Sequence, residues 1–285
     1  MVKIRTRLCK DVGQLDDALG SAVSDGCDVV VLLSLGVEAA SLVPFARSVD
    51  ATTPVLLADC YGILGFCVEE GRNRELMEAG CGTEYGGVGG DGGRGVVGVV
   101  YSGGGAVGTT DALPTEVTSH LVVAAHGSSI ASFLQQQATA VYYGGLAKAA
   151  LRYDARKELF EPVPHIFVST RRVPDVSLGT TSFTSDARGA VRQLLDRAPG
   201  GSQVEAVALF PCFMRGKNTY GKNNVEPAAI SELLPGVPIF GMFCHGELGP
   251  KGNMGFDTTK RPQQSCTQHS MTSIVAVHLS APPAG

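Results

Sequence analysis

Residues 203–249 read QVEAVALFPCFMRGKNTYGKNNVEPAAISELLPGVPIFGMFCHGELG. Within them, residues 204–210 are an apolar run of strand length that ends at Pro211. A short run rich in valine and leucine suits a strand buried on both faces. Residues 226–234 follow with helical spacing and Pro227 in the first turn, where a missing N–H is tolerated. Residues 237–244 are a second apolar run. Strand, helix and strand in this order predict a mixed α/β fold with a largely buried sheet.

The same rhythm runs outward. Residues 28–34 (DVVVLLS), 54–58 and 95–102 read as strands, and residues 12–23 as a helix with Asp11 at its cap. Residues 42–48 are weakly helical around Pro44. Further on, residues 121–125, 140–143, 166–169 and 270–279 read as strands. Helices are expected over 130–140 and over 187–198, the latter capped by Asp186. The expected division is an N-terminal helix-containing segment at 1–27, a first half at 28–112, a linker at 113–119, a second half at 120–280 and a tail at 281–285. A glycine-rich insertion at 80–95 interrupts the first half, which leads to two related halves, each a sheet with flanking helices.

Composition narrows the classes. The chain has 285 residues, a net charge of −4, 37 glycines and only 18% charged residues. The glycines follow no three-residue period, which excludes collagen. No apolar run reaches the ~20 residues that span a bilayer, and no apolar segment follows the basic N-terminus. A mildly acidic chain lacks the charge that drives nucleic-acid binding. The 8 cysteines, in a long chain without a leader, read as reduced thiols of a cytoplasmic or nuclear protein.

Four motifs carry chemistry to weigh. Gly87, Gly89 and Gly92 match a dinucleotide fingerprint, but a strand-like run follows them where a helix is needed. His126-Gly127-Ser128-Ser129 sits between strand and helix. Ser129 there is a candidate hydrolase nucleophile, with Asp175, Asp257, His269 and His278 downstream; a plain capped turn fits the same residues. His245-Gly246-Glu247 matches the H-x-E of zinc deaminases, yet no P-C-x-x-C follows, so no metal and no cofactor are expected. Cys212 leaves a strand three residues before Arg215, and a thiol half-exposed in a positive field is activated; a buried strand-end cysteine is the other reading. Polar residues gather near strand ends in this part of the chain, where α/β proteins bind ligands.

Several stretches together resemble the FIST domain (F-box and intracellular signal transduction). They are Phe210-Pro211-Cys212-Phe213-Met214-Arg215-Gly216, Asn224-Val225-Glu226, Gly241-Met242-Phe243-Cys244-His245-Gly246-Glu247 and His269-Ser270-Met271-Thr272. Weaker likeness covers Val141-Tyr142-Tyr143-Gly144-Gly145. The resemblance is nearest to the branch that carries an F-box, although residues 1–27 are too short to be one. It implies a recognition or sensor module rather than an enzyme, with no catalytic residues. The implied cleft is Cys212, Arg215, Glu226, His245, Gly246, Glu247 and Thr272. The implied partners are a protein substrate of a ubiquitin ligase, a Skp1-type adaptor, or a small-molecule ligand.

Overall fold

A computed structural model describes residues 3–67, 70–79, 92–103, 106–109, 117–128, 141–171, 176–250, 256 and 266–280. The mixed α/β class holds, with two mixed sheets and a few helices.

The strands fall into three runs of the same plan. The first holds β1 (Lys3–Cys9), α1 (Leu15–Ser24), β2 (Val29–Leu35), α2 (Val43–Ser48), β3 (Val55–Asp59), β4 (Gly62–Cys67), β5 (Arg72–Met77) and β6 (Gly95–Ser102). The second holds β7 (Ala106–Thr109), β8 (Val117–Ala125), β9 (Val141–Ala147), β10 (Ala149–Asp154), β11 (Leu159–Val163) and β12 (His165–Arg171). The third holds β13 (Val176–Phe183), α3 (Ala187–Leu195), β14 (Gln203–Pro211), α4 (Lys217–Tyr220) and α5 (Val225–Leu233). It continues through β15 (Ile239–Met242), β16 (Glu247–Gly249), β17 (Thr267–His269) and β18 (Ser273–Ser280).

In each unit the second and third strands are parallel, the last strand is antiparallel to the second, and the first is antiparallel to the last. The spatial orders are β3-β2-β6-β1, β9-β8-β12-β7 and β15-β14-β18-β13. The register repeats as well. Thr6 faces Val99, Val99 faces Val31, and Val31 faces Leu56. Gly108, Val168, Leu121 and Tyr143 form the same row in the second unit. Thr180, Ala276, Ala208 and Phe240 form it in the third.

Each unit also sends out a hairpin, which pairs with a different unit. β10 pairs with β3, β16 with β9, and β4 with β15. The exchange closes in a ring, so the three units are related by a pseudo-threefold axis. The expected pair of halves is thereby replaced: strands from either side of the expected linker share a 12-stranded sheet, and residues 117–119 of that linker belong to β8.

Strands buried on both faces explain the unbroken apolar runs. In β2, Val29, Val31, Leu33 and Leu35 point into a central core shared by all three units. Val30 and Leu32 point outward beneath Leu15, Leu19 and Phe45 of the first unit's helices. In the third unit, Val191, Leu194 and Ile230 cover Val207, Leu209 and Val277 in the same way. Asp186 caps α3 as the sequence indicates, accepting from the Gly189 amide at 2.8 Å. The glycine-rich residues 80–91, the expected helix at 130–140 and Ser129 lie outside the described residues.

Candidate functional site at the strand ends

The carboxyl ends of the three parallel strand pairs open on one mouth. Three residues sit at equivalent positions there: Tyr61, Lys148 and His245, each placed just before the first strand of its unit's hairpin. The Lys148 ammonium lies 5.6 Å from the Tyr61 ring centre, and the Tyr61 and His245 rings are 5.8 Å apart. A second equivalent position, just past the second strand, gives Gly36, His126 and Phe213. Phe213 stacks on His245 at 4.8 Å and 12°, and the exposed His126 ring lies 4.2 Å from His245. Lys148 Nζ bonds Glu78 Oε1 at 2.6 Å. Asp59 faces the same ammonium, and burial pushes its carboxyl above the usual range against that attraction.

Beneath this rim lies Glu247, wholly buried. Thr272 Oγ1 donates to its Oε2 at 2.9 Å, and the Thr272 amide donates at 3.3 Å. Its Oε1 has no partner. Removal from water pushes Glu247 up to about 7, in spite of Thr272, Cys212 and Arg215, which all favour its charged form. The Cys212 thiol lies against this carboxyl and is only 4% exposed. Burial and the Glu247 charge push it up to about 11, so Cys212 is no activated thiol at neutral pH. Gly246 has φ +124°, and a Cβ there would meet Gln268 Nε2 at 2.6 Å, so the turn before Glu247 requires glycine.

Arg215 and Glu226, expected in the cleft, sit behind it. Arg215 is 1% exposed. Its Nε donates to Glu226 Oε1 at 2.6 Å, and its terminal nitrogens donate to the carbonyls of Thr184 (2.6 Å) and Met271 (3.0 Å) and to the Tyr220 hydroxyl. Tyr220 and Ser273 donate in turn to Glu226, at 2.8 and 2.7 Å. These four bonds and the 2.6 Å approach of a terminal nitrogen to Glu226 Oε1 commit the guanidinium to the fold. The pair pins the 212–216 turn, which presents Cys212 and Phe213.

The structure thus brings Cys212, His245, Gly246, Glu247 and Thr272 together and sets Arg215 and Glu226 one layer deeper. Sequence reading missed Tyr61, Lys148 and Phe213, and took His126 only as part of a Ser129 motif. The signal for them is positional: each lies within two residues of the end of a parallel strand, but only the threefold register shows that these ends meet. Of the candidate hydrolase partners, Asp175 and Asp257 lie outside the described residues, as Ser129 does, and the two described histidines stand elsewhere. His278 is buried in the central core against Tyr143 (3.4 Å), and burial lowers it to about 4. The His269 ring lies 3.2 Å from the Gly249 carbonyl oxygen. Among the described residues no group of three or more His, Cys, Asp or Glu could hold a metal, and the seven described cysteines are free. No described helix is long and apolar enough to cross a membrane.

No family model matches the chain. A stretch of 79 residues is 35% identical to human F-box only protein 22, covering 26% of this chain and 20% of that protein. Another of 65 residues is 37% identical to an uncharacterised protein of Mycobacterium bovis, covering 23% of this chain and 16% of the relative. The matched stretches span a fifth or less of the length of these curated relatives. Among solved structures, a cyanuric acid hydrolase from A. caulinodans aligns over 99% of this chain and 100% of its own, with a TM-score of 0.40 and 10% identity. That neighbour is an enzyme, which corrects the expectation of a non-enzyme stated above; at this TM-score it lends no reaction, substrate or residue role. The chain shares partial homology with F-box only protein 22 and with mycobacterial proteins of unassigned function.

Proposed function

We propose that the chain is a recognition module of the FIST type, whose strand-end mouth holds a small ligand or a segment of a protein substrate. The observation that carries this reading is the convergence of three parallel strand pairs on Tyr61, Lys148 and His245, above a buried carboxyl with an unpartnered oxygen. Converging strand ends are where α/β proteins bind ligands, and an orphan buried acceptor marks a place where a donor is missing. The stretch shared with F-box only protein 22 supports a role in substrate recognition for a ubiquitin ligase, with a Skp1-type adaptor among its partners.

A thermal-shift screen against small metabolites tests the ligand reading. A ligand present at 100 times its Kd adds about 2.7 kcal/mol of stability. The expected hit raises the melting temperature of the native chain and not that of Glu247→Gln or Lys148→Ala. A panel without hits, or hits indifferent to both substitutions, contradicts the mouth as the binding site. Co-purification with a Skp1-type adaptor tests the ligase role separately.

A further inference from the structure

We propose that the mouth on the pseudo-threefold axis takes an oxyanion, the phosphoryl or sulfo group of a small molecule, held by Tyr61, Lys148 and His245 together. The proposal rests on reading this mouth as a binding face and adds the chemistry of its occupant. Three equivalent positions, one from each unit, present a phenol, an ammonium and an imidazole around one axis. All three are hydrogen-bond donors of different kinds. A phosphoryl or sulfo group carries three terminal oxygens around its own threefold axis, so donor set and ligand match in number.

On Lys148 and His245 the local bonding leaves donors for such a ligand. An ammonium has three N–H groups, and Lys148 gives one of them to Glu78. Within the described residues the His245 ring is held by aromatic contacts with Phe213, Tyr61 and His126, and no side-chain hydrogen bond fixes its nitrogens. His126, exposed at the rim, brings a second imidazole 4.2 Å from the first. The opposing charges are Glu78, already spent on Lys148, and Asp59, whose carboxyl burial holds toward its neutral form. Glu247 is wholly buried beneath the rim, and removal from water disfavours its charge.

The test is a titration of the full chain, with its histidine rings labelled for NMR, using inorganic sulfate and inorganic phosphate against a chloride control of equal ionic strength. The expected result is a saturable shift of the His245 and His126 ring signals, with those of His120, His165 and His278 unmoved. Lys148→Ala should weaken binding by about tenfold or more and Lys148→Arg should retain it, with the buried His278 signal reporting that both variants fold. A non-saturating response, a response equal to chloride, or affinity unchanged in Lys148→Ala overturns the proposal. If metabolite hits still depend on Lys148 and Glu247 while both anions are silent, the oxyanion assignment falls and the binding face stands. If both are silent, both fall.

Discussion

At the scale of single residues, two buried acids do different work. Glu247 carries the less stable charge. Its folded pKa, about 7, lies above the ordinary carboxylate value. Its contribution is therefore fully present below about pH 4.5 and is lost as pH rises through about 7. Urea unfolding of Glu247→Gln should show this directly. The substitution should gain stability relative to the native chain between pH 5 and pH 8, by on the order of 2–3 kcal/mol. A difference that does not vary with pH removes the buried charge from the description of the site. Glu226 is held by hydrogen bonds from Arg215, Tyr220 and Ser273. Arg215→Ala leaves that carboxylate buried and unpaired, and should cost about 3–5 kcal/mol in chemical denaturation. Replacing Arg215 and Glu226 together by leucine should cost much less. Of these residues, Cys212, Arg215, Glu226, Glu247 and Thr272 were legible in the sequence as a group. What the sequence could not show is which of them face each other, because tertiary neighbours decide that Arg215 is buried and that Lys148 reaches the rim.

At the scale of elements, the strands buried on both faces were the legible part. β2, β3, β8, β14 and β18 carry valine- and leucine-rich runs because helices or a neighbouring layer cover one face and the central core covers the other. The hairpins were not legible. β10 (AALRYD) and β11 (LFEPV) mix charged and apolar residues at the end of a sheet, and the β3 strand that β10 pairs with lies more than 90 residues upstream for most of the ladder. Nothing local records such a pairing. Glycines at matched positions leave a sharper test. Gly144 in β9 and Gly241 in β15 each follow the matched row by one residue. A Cβ at Gly144 would lie 1.9 Å from the Val122 carbonyl oxygen, and one at Gly241 would lie 1.8 Å from that of Leu209. Neither oxygen can move without breaking its ladder. Gly144→Ala and Gly241→Ala should each destabilise by more than about 3 kcal/mol or prevent folding, whereas Gly20→Ala, with nothing within 4 Å, should be close to neutral. Thermal unfolding followed by circular dichroism separates these outcomes.

At the scale of the whole molecule, the ring of exchanged hairpins makes the units interdependent. Each third strand is paired on one side by its own unit and on the other by a hairpin from another unit. Residues 103–105 join β6 to β7, and residues 172–175 join β12 to β13. By the pseudo-symmetry, the end of β18 and the start of β1 stand in the same relation. A circular permutant that joins Gly285 to Met1 and opens the chain between residues 172 and 175 should fold with the native melting temperature, within a few degrees. Deleting β10 and β11 should unfold the first unit as well as the second. Two apparent halves were the natural inference from a βαβ rhythm read along the chain. The threefold repeat is hidden because threefold register is a property of pairing rather than of composition.

The mouth depends on that closure, since Tyr61, His126 and His245 belong to three different units. Nuclear Overhauser contacts between their rings in the unliganded chain test the arrangement most directly. Cross-peaks from His245 to His126, Phe213 and Tyr61 are expected from ring separations of 4.2, 4.8 and 5.8 Å. A folded chain in which His245 shows contacts to neither His126 nor Tyr61 would contradict the convergence of the three units on one site.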